Sequence, residues 1–312
     1  FTGGVTIDNG ELRLNNTGAL NSTTPNTVTF SSNTNSKVLT LNGNSVTVAG
    51  LNNSGGSGAV VQNNAAGTAT LTVSNATDNT FAGVLRNGTA GTLALTKTGS
   101  GTLTLAGNNT FTGGVTIEGG TLSLANAGAL NSTTPNAISF GSNASLKTLR
   151  IAGQNVTVSG LTTGATVGTS VVENGEVGTA TLTVNNAAAN TFAGVLQDGA
   201  AGTLALTKTG AGTLTLSGST ANTYTGLTTV SGGTLSLGKS ASVNAVAGDI
   251  VVNGGTLLLS ANHQIANTSS ITVNGSANFN PNDRTETVNN LTLNSSYADP
   301  NKHRISNITV NG

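Results

Sequence analysis

The chain has no cysteine, no methionine and no tryptophan, and only 4 prolines, 2 tyrosines and 7 phenylalanines in 312 residues. Without cysteine, disulfides and thiolate metal sites are excluded. Charge is equally scarce. Charged residues are 7% of the total, and 11 Lys and Arg balance 11 Asp and Glu. No basic stripe exists to neutralise phosphates, which removes the electrostatic support for nucleic-acid binding. No apolar run approaches the roughly 20 residues of a membrane-spanning helix, so we expect no membrane insertion of this segment. The sequence opens inside a motif at Phe1, with neither an initiator methionine nor a signal peptide. We therefore expect a fragment or mature segment of something longer.

What the chain does have is alternation. Apolar residues make up 36%, and the net charge is too low for the usual route to disorder, so the chain should fold. Thr68-Ala-Thr-Leu-Thr-Val73, Thr102-Leu-Thr-Leu105 and Thr121-Leu-Ser-Leu124 place Leu and Val on one face and Thr or Ser on the other. Period two with β-branched residues means short strands on a pleated surface. Between them stand Asn9-Gly10, Asn87-Gly88, Asp198-Gly199, Asn253-Gly254 and Asn274-Gly275, pairs expected to supply the positive φ of tight turns. Thr24-Pro25 and Thr134-Pro135 start turns in which proline pre-sets φ. No stretch has capped helical periodicity, and the chain is expected to be all-β.

The chain also repeats itself. Gly101-Thr-Leu-Thr-Leu105 returns at 212–216 and Phe81-Ala-Gly-Val-Leu85 at 192–196; Phe1-Thr-Gly-Gly-Val-Thr-Ile7 returns at 111–117. Blocks of 1–110, 111–222 and a divergent 223–312 follow. Long-range self-similarity favours a solenoid over a sandwich, because stacked units bury together what each cannot bury alone. We expect one continuous parallel β-helix over 1–312, with three or so strands and about 25–35 residues per turn. Ten or so coils at about 4.8 Å give a rod of roughly 50 Å. Leu103, Leu105, Leu214, Leu216, Val73 and Val184 should point inward. The pairs Asn15-Asn16, Asn63-Asn64, Asn108-Asn109 and Asn185-Asn186 are either side-amide ladders between coils or isolated turn residues.

Gly212-Thr-Leu-Thr-Leu216, Asn222-Thr-Tyr-Thr-Gly226, Thr228-Thr-Val230 and Gly232-Gly-Thr-Leu-Ser-Leu237 resemble the autotransporter-associated β-strand repeat, and the copy at 101–124 matches equally well. The resemblance implies a right-handed parallel β-helix, exported to a Gram-negative cell surface or secreted. It implies no chemistry and no cofactor. Partners on this view are neighbouring repeats of a longer chain or other copies end to end, with surface glycans or host cell surfaces as adhesion targets. A complete autotransporter continues into a membrane β-barrel, which is not in this sequence.

Catalysis in β-helices needs clustered carboxylates with Arg or Lys on one face, whereas the acids here are scattered. Between copies, Glu11 aligns with Thr121, Asp78 with Ala189 and Arg86 with Gln197. Only Asp8/Glu118, Lys37/Lys147 and Lys97/Lys208 keep their charge, and their place beside turns suggests solvated positions. The densest charged stretch is Asp283, Arg284, Glu286, Asp299, Lys302, His303 and Arg304, with His263 upstream. It is either a polar terminal region covering the stack or a carbohydrate-binding or carbohydrate-cleaving site with His as acid and base. The Thr-x-Thr runs raise ice binding, but with turns of unequal length the ranks need not align from coil to coil. Both termini fall in strand-like sequence, so open coil ends invite end-to-end stacking. We expect a non-enzymatic structural segment.

Overall fold

A computed structural model describes residues 1–53, 55–164, 169–294 and 308–310, and among these there is no helix. The chain forms two compact units, Phe1–Arg150 and Ile151–Gly312. Each is a parallel β-solenoid. Sequential strands do not fold back on each other as hairpins; a strand pairs with one a full coil later, and the described ladders are all parallel.

In the first unit four stacks run side by side. Val5–Ile7, Thr27–Phe30 and Gly50–Asn52 form one, and Gly10–Arg13, Lys37–Thr40, Ala59–Asn63 and Val84–Asn87 another. The third contains Val46–Val48, Gly67–Ser74, Gly91–Thr98, Val115–Ile117 and Ala137–Phe140. The fourth contains Asn79–Phe81, Thr102–Leu105, Gly120–Leu124 and Lys147–Arg150. In the second unit the longest stack joins Val156–Val158, Gly178–Asn185, Gly202–Thr209, Thr228–Val230, Ile250–Val252, Ser270–Asn274 and Asn290–Asn294. Beside it lie Asn190–Phe192, Thr213–Gly218, Thr234–Lys239, Thr256–Leu259 and Asn278–Asn280.

Most coils are shorter than the sequence suggested: Thr102 faces Thr121, 19 residues on, and Gly67 faces Gly91, 24 residues on, although Gly10 faces Lys37, 27 residues on. The expected 25–35 overestimated the connections, some of which are minimal: Ala49 alone joins Val46–Val48 to Gly50–Asn52. Three of the Asn/Asp-Gly pairs do place glycine in the left-handed region, at Gly10, Gly199 and Gly275. At Asn253-Gly254 that role passes to Gly255. Gly88 is glycine for another reason, because a Cβ there would fall 1.9 Å from the Asn63 carbonyl oxygen of the preceding coil.

Strand parity decides what is inside. Leu103, Leu105, Leu214, Leu216, Val73 and Val184 are all fully buried, as expected. Inward residues stack into files along each solenoid: Val46, Leu71, Leu95, Val115 and Ile138 in the first unit, Ile250 and Ile271 with Leu291 in the second. Phe30 and Phe81 meet inside with ring centroids 5.6 Å apart, tilted by 56°, a favourable aromatic arrangement.

Outward threonines do align. Thr47, Thr72, Thr96 and Thr116 form one rank, and Thr157, Thr183, Thr207 and Thr229 another. Register is set by strand pairing, so coils absorb unequal lengths in their turns without disturbing the ranks. Of the asparagines singled out, Asn63 and Asn186 donate to backbone carbonyls of their own turn and of a neighbouring coil instead of to each other. Asn15 does accept a side-amide bond from Asn42 of the next coil at 3.0 Å, and a longer ladder forms where Asn294 donates to Asn274 at 2.9 Å and Asn274 to Asn253 at 2.7 Å.

Candidate functional site

Polar residues on the inside of a solenoid are costly unless each atom finds a partner, so buried charges are where function or scaffold chemistry concentrates. Five lysines are buried. Lys37, Lys97, Lys147 and Lys208 have no exposed surface and Lys239 retains 1%. This overturns the solvated reading of the persistent lysines. The signal was in the parity, since Leu93, Leu95 and Lys97 alternate on one face, as do Leu204, Leu206 and Lys208, and Leu235, Leu237 and Lys239. Lys97 sits in an aliphatic file between Val73 and Ile117, and Lys208 between Val184 and Val230.

Each aliphatic stem fills the core while its ammonium reaches the turn at the strand's end, a case of snorkelling into backbone instead of water. Lys97 Nζ donates to Thr98 O, Gly99 O at 3.0 Å and Gly119 O at 3.1 Å. Lys208 Nζ donates to Thr209 O, Gly210 O at 2.9 Å and Gly232 O at 3.2 Å. Lys37 Nζ donates to Asn33 O, Asn33 Oδ1 and Ser57 O at 2.6, 3.0 and 2.9 Å. Lys239 Nζ ties Gly194 O to Ser217 O, at 3.0 and 2.9 Å. Most of these clamps bridge two coils. Burial pushes Lys97 down to about 8, against the charge of Asp78, and Lys239 down to about 8. Burial also lowers Lys147 and Lys208.

Of the charged terminal stretch, Asp283 and Arg284 are exposed in a turn where Asn282 and Asp283 have φ of 52° and 56°. Glu286 is fully buried. Its Oε2 accepts the backbone N–H groups of Gln264 at 2.6 Å and Ile265 at 3.1 Å, and its Oε1 accepts that of Thr287. Burial raises its pKa, with those three bonds pulling the other way. Glu286 thus caps backbone of the preceding coil and is turned away from any external ligand. Asp299, Lys302, His303 and Arg304 lie outside the described residues. His263 is half-buried with φ of 51°. No group of three His, Cys, Asp or Glu suited to a metal occurs among the described residues.

The outer face of the first unit carries a polar ladder across four coils. Thr40 donates to Glu11 at 2.6 Å, Gln62 donates to Thr40 at 3.1 Å, and Arg86 Nε donates to Gln62 Oε1 at 2.9 Å. Within the same unit a cleft of about 620 Å³ opens beside Ser100, Glu118, Thr121, Asn143 and Leu146. At its wall Asn143 Nδ2 donates to Glu118 Oε2 at 2.6 Å. Lys147 Nζ, beneath, donates to Asn143 O, to Asn143 Oδ1 at 3.2 Å and to Ser145 O at 3.0 Å.

These features define a repeat protein of the parallel β-solenoid class, with inward lysines fastening its turns. Residues 95–124 and 206–237 match the passenger-associated-transport-repeat family. Both matched segments begin on the strand that carries a buried lysine, Lys97 or Lys208, and run into the third strand after it. Together with the parallel solenoid they support an autotransporter passenger-type repeat protein. No curated protein and no solved structure matches the chain.

Proposed function

We propose that this chain is a structural, non-enzymatic segment of a passenger, a stalk displayed on or secreted from a Gram-negative cell. The observation that supports it best is that the passenger-type repeat is written into a solenoid whose recurring lysines are spent on backbone carbonyls at the turns. Side chains that recur between copies thereby serve coil stacking, the property a stalk requires. Adhesion to surface glycans and end-to-end association of open coils are extensions of that role.

The test is localisation of the native protein. Antibody labelling of intact cells, with protease shaving and assay of the culture medium, should find the chain outside the outer membrane. Retention in the cytoplasm would overturn the proposal. Scattering from the isolated chain tests the sequence argument for one continuous β-helix: about 13 turns at about 4.8 Å each should give a rod of roughly 60 Å, and a compact globule would refute it.

A further inference from the structure

We propose that Lys147 and Asn143 become joined by a side-chain amide bond after folding, with Glu118 as the proton carrier. The geometry brings together the three groups this reaction requires. Lys147 Nζ lies 3.2 Å from Asn143 Oδ1, with the electrophilic Cγ one bond further in, and Asn143 Nδ2 is held 2.6 Å from Glu118 Oε2. Contact at that range, fixed by the fold, replaces an improbable encounter with a positioned one.

The step balances without any oxidant or co-reactant. The neutral amine of Lys147 attacks Cγ of Asn143, forming the C–Nζ bond. Solvent in the cleft relays the proton released from Nζ to Glu118, which passes it to the Nδ2 it already holds; the Cγ–Nδ2 bond breaks, and ammonia departs. Burial supports the reaction by holding the Lys147 pKa below its usual value, which raises the share of free amine. The cleft beside Glu118 and Asn143 gives ammonia an exit and solvent a way in.

The first copy of the same turn provides an internal control. Lys37 Nζ lies 3.0 Å from Asn33 Oδ1, much as in the second copy. There, however, Asn33 Nδ2 donates to the backbone carbonyl of Asp8, and the Asp8 carboxylate is occupied by Ser31 Oγ. Without a carboxylate on the leaving nitrogen, Lys37 remains a free clamp. Lys97 and Lys208 touch only backbone carbonyls and have no side-chain amide to attack.

The experiment is intact-mass spectrometry of the full 312-residue chain, purified folded and incubated at mildly alkaline pH. The expected mass is about 17 Da below that of the sequence, the loss of one ammonia. A denatured tryptic digest should remain uncut after Lys147, with fragmentation linking Lys147 to Asn143. Lys147→Arg and Glu118→Gln should restore the full mass, and Lys37→Arg should keep the deficit. A wild-type chain at full mass with cleavage after Lys147 would overturn the proposal. So would a deficit that survives Lys147→Arg, which would place the ammonia loss at an asparagine succinimide. A deficit that survives Glu118→Gln would remove Glu118 from its role, and one lost in Lys37→Arg would move the bond to the first copy. The wild-type digest decides the matter even if a variant fails to fold.

Discussion

Leu103→Asp and Thr104→Asp place the same carboxylate on consecutive residues of one strand and should differ by most of a unit's stability. Leu103 has no exposed surface and lies in register between Asn79 and Leu122. Removing its side chain costs about 2–5 kcal/mol in lost burial and cavity. An unpaired charge held in the same space adds several more, so at least about 5 kcal/mol is expected. Thr104 points outward between Thr80 and Ser123, neither of them charged, and its replacement should cost no more than about 1 kcal/mol. For a unit of this size each kcal/mol moves the melting midpoint by roughly 2–4 °C. Leu103→Asp should therefore lower it by about 10–20 °C or abolish folding, and Thr104→Asp by only a few degrees. Thermal unfolding followed by circular dichroism at the β-sheet minimum reads both. Equal losses from the two variants would refute the parity argument on which the whole fold description rests.

The lysine clamps make a second prediction. Lys97→Met keeps the stem but leaves the carbonyls of Thr98, Gly99 and Gly119 without their donor, and should cost about 1–3 kcal/mol by denaturant unfolding. The same lysines set a pH dependence. Folded Lys97 and Lys239 release their protons near pH 8, whereas an unfolded lysine holds its proton to about 10.4. Between those values the unfolded chain binds more protons, so stability should rise with pH across that window and be flat just below it. A fall in stability from pH 8 to 10 would contradict the burial of these ammonium groups. Third, Glu286→Ala removes the acceptor for the backbone N–H groups of Gln264 and Ile265 and should destabilise the second unit by about 2–4 kcal/mol, while Glu286→Gln, which keeps an acceptor oxygen, should cost less.

The all-β solenoid was legible because period-two alternation and long-range repetition are properties of the chain itself. The inward phase at Leu103 and Val184 followed directly from it. The lysines were misjudged because charge was weighed above parity, although Lys97 has the same parity as Leu93 and Leu95. Glu286 could have been placed the same way, by its alternation with Val288. Threonine alignment stayed open in the sequence for a different reason. Register between coils is a hydrogen-bonding property of paired strands, which turn lengths read along the sequence do not reveal. The trio of Lys147, Asn143 and Glu118 was beyond sequence reasoning altogether, since Glu118 belongs to the preceding coil, 25 residues before Asn143.

The inward lysines have a consequence for survival outside a cell. Trypsin-like proteases grip a basic side chain in a deep pocket, and to be cut the chain must first present it in an extended, mobile segment. Of the six lysines in the sequence, the five at 37, 97, 147, 208 and 239 are sealed in the core with their ammonium groups tied to the backbone. A digestive enzyme would reach them only after local opening of the coil. A solenoid that hides most of its lysines has removed the commonest handles by which such an enzyme would dismantle it.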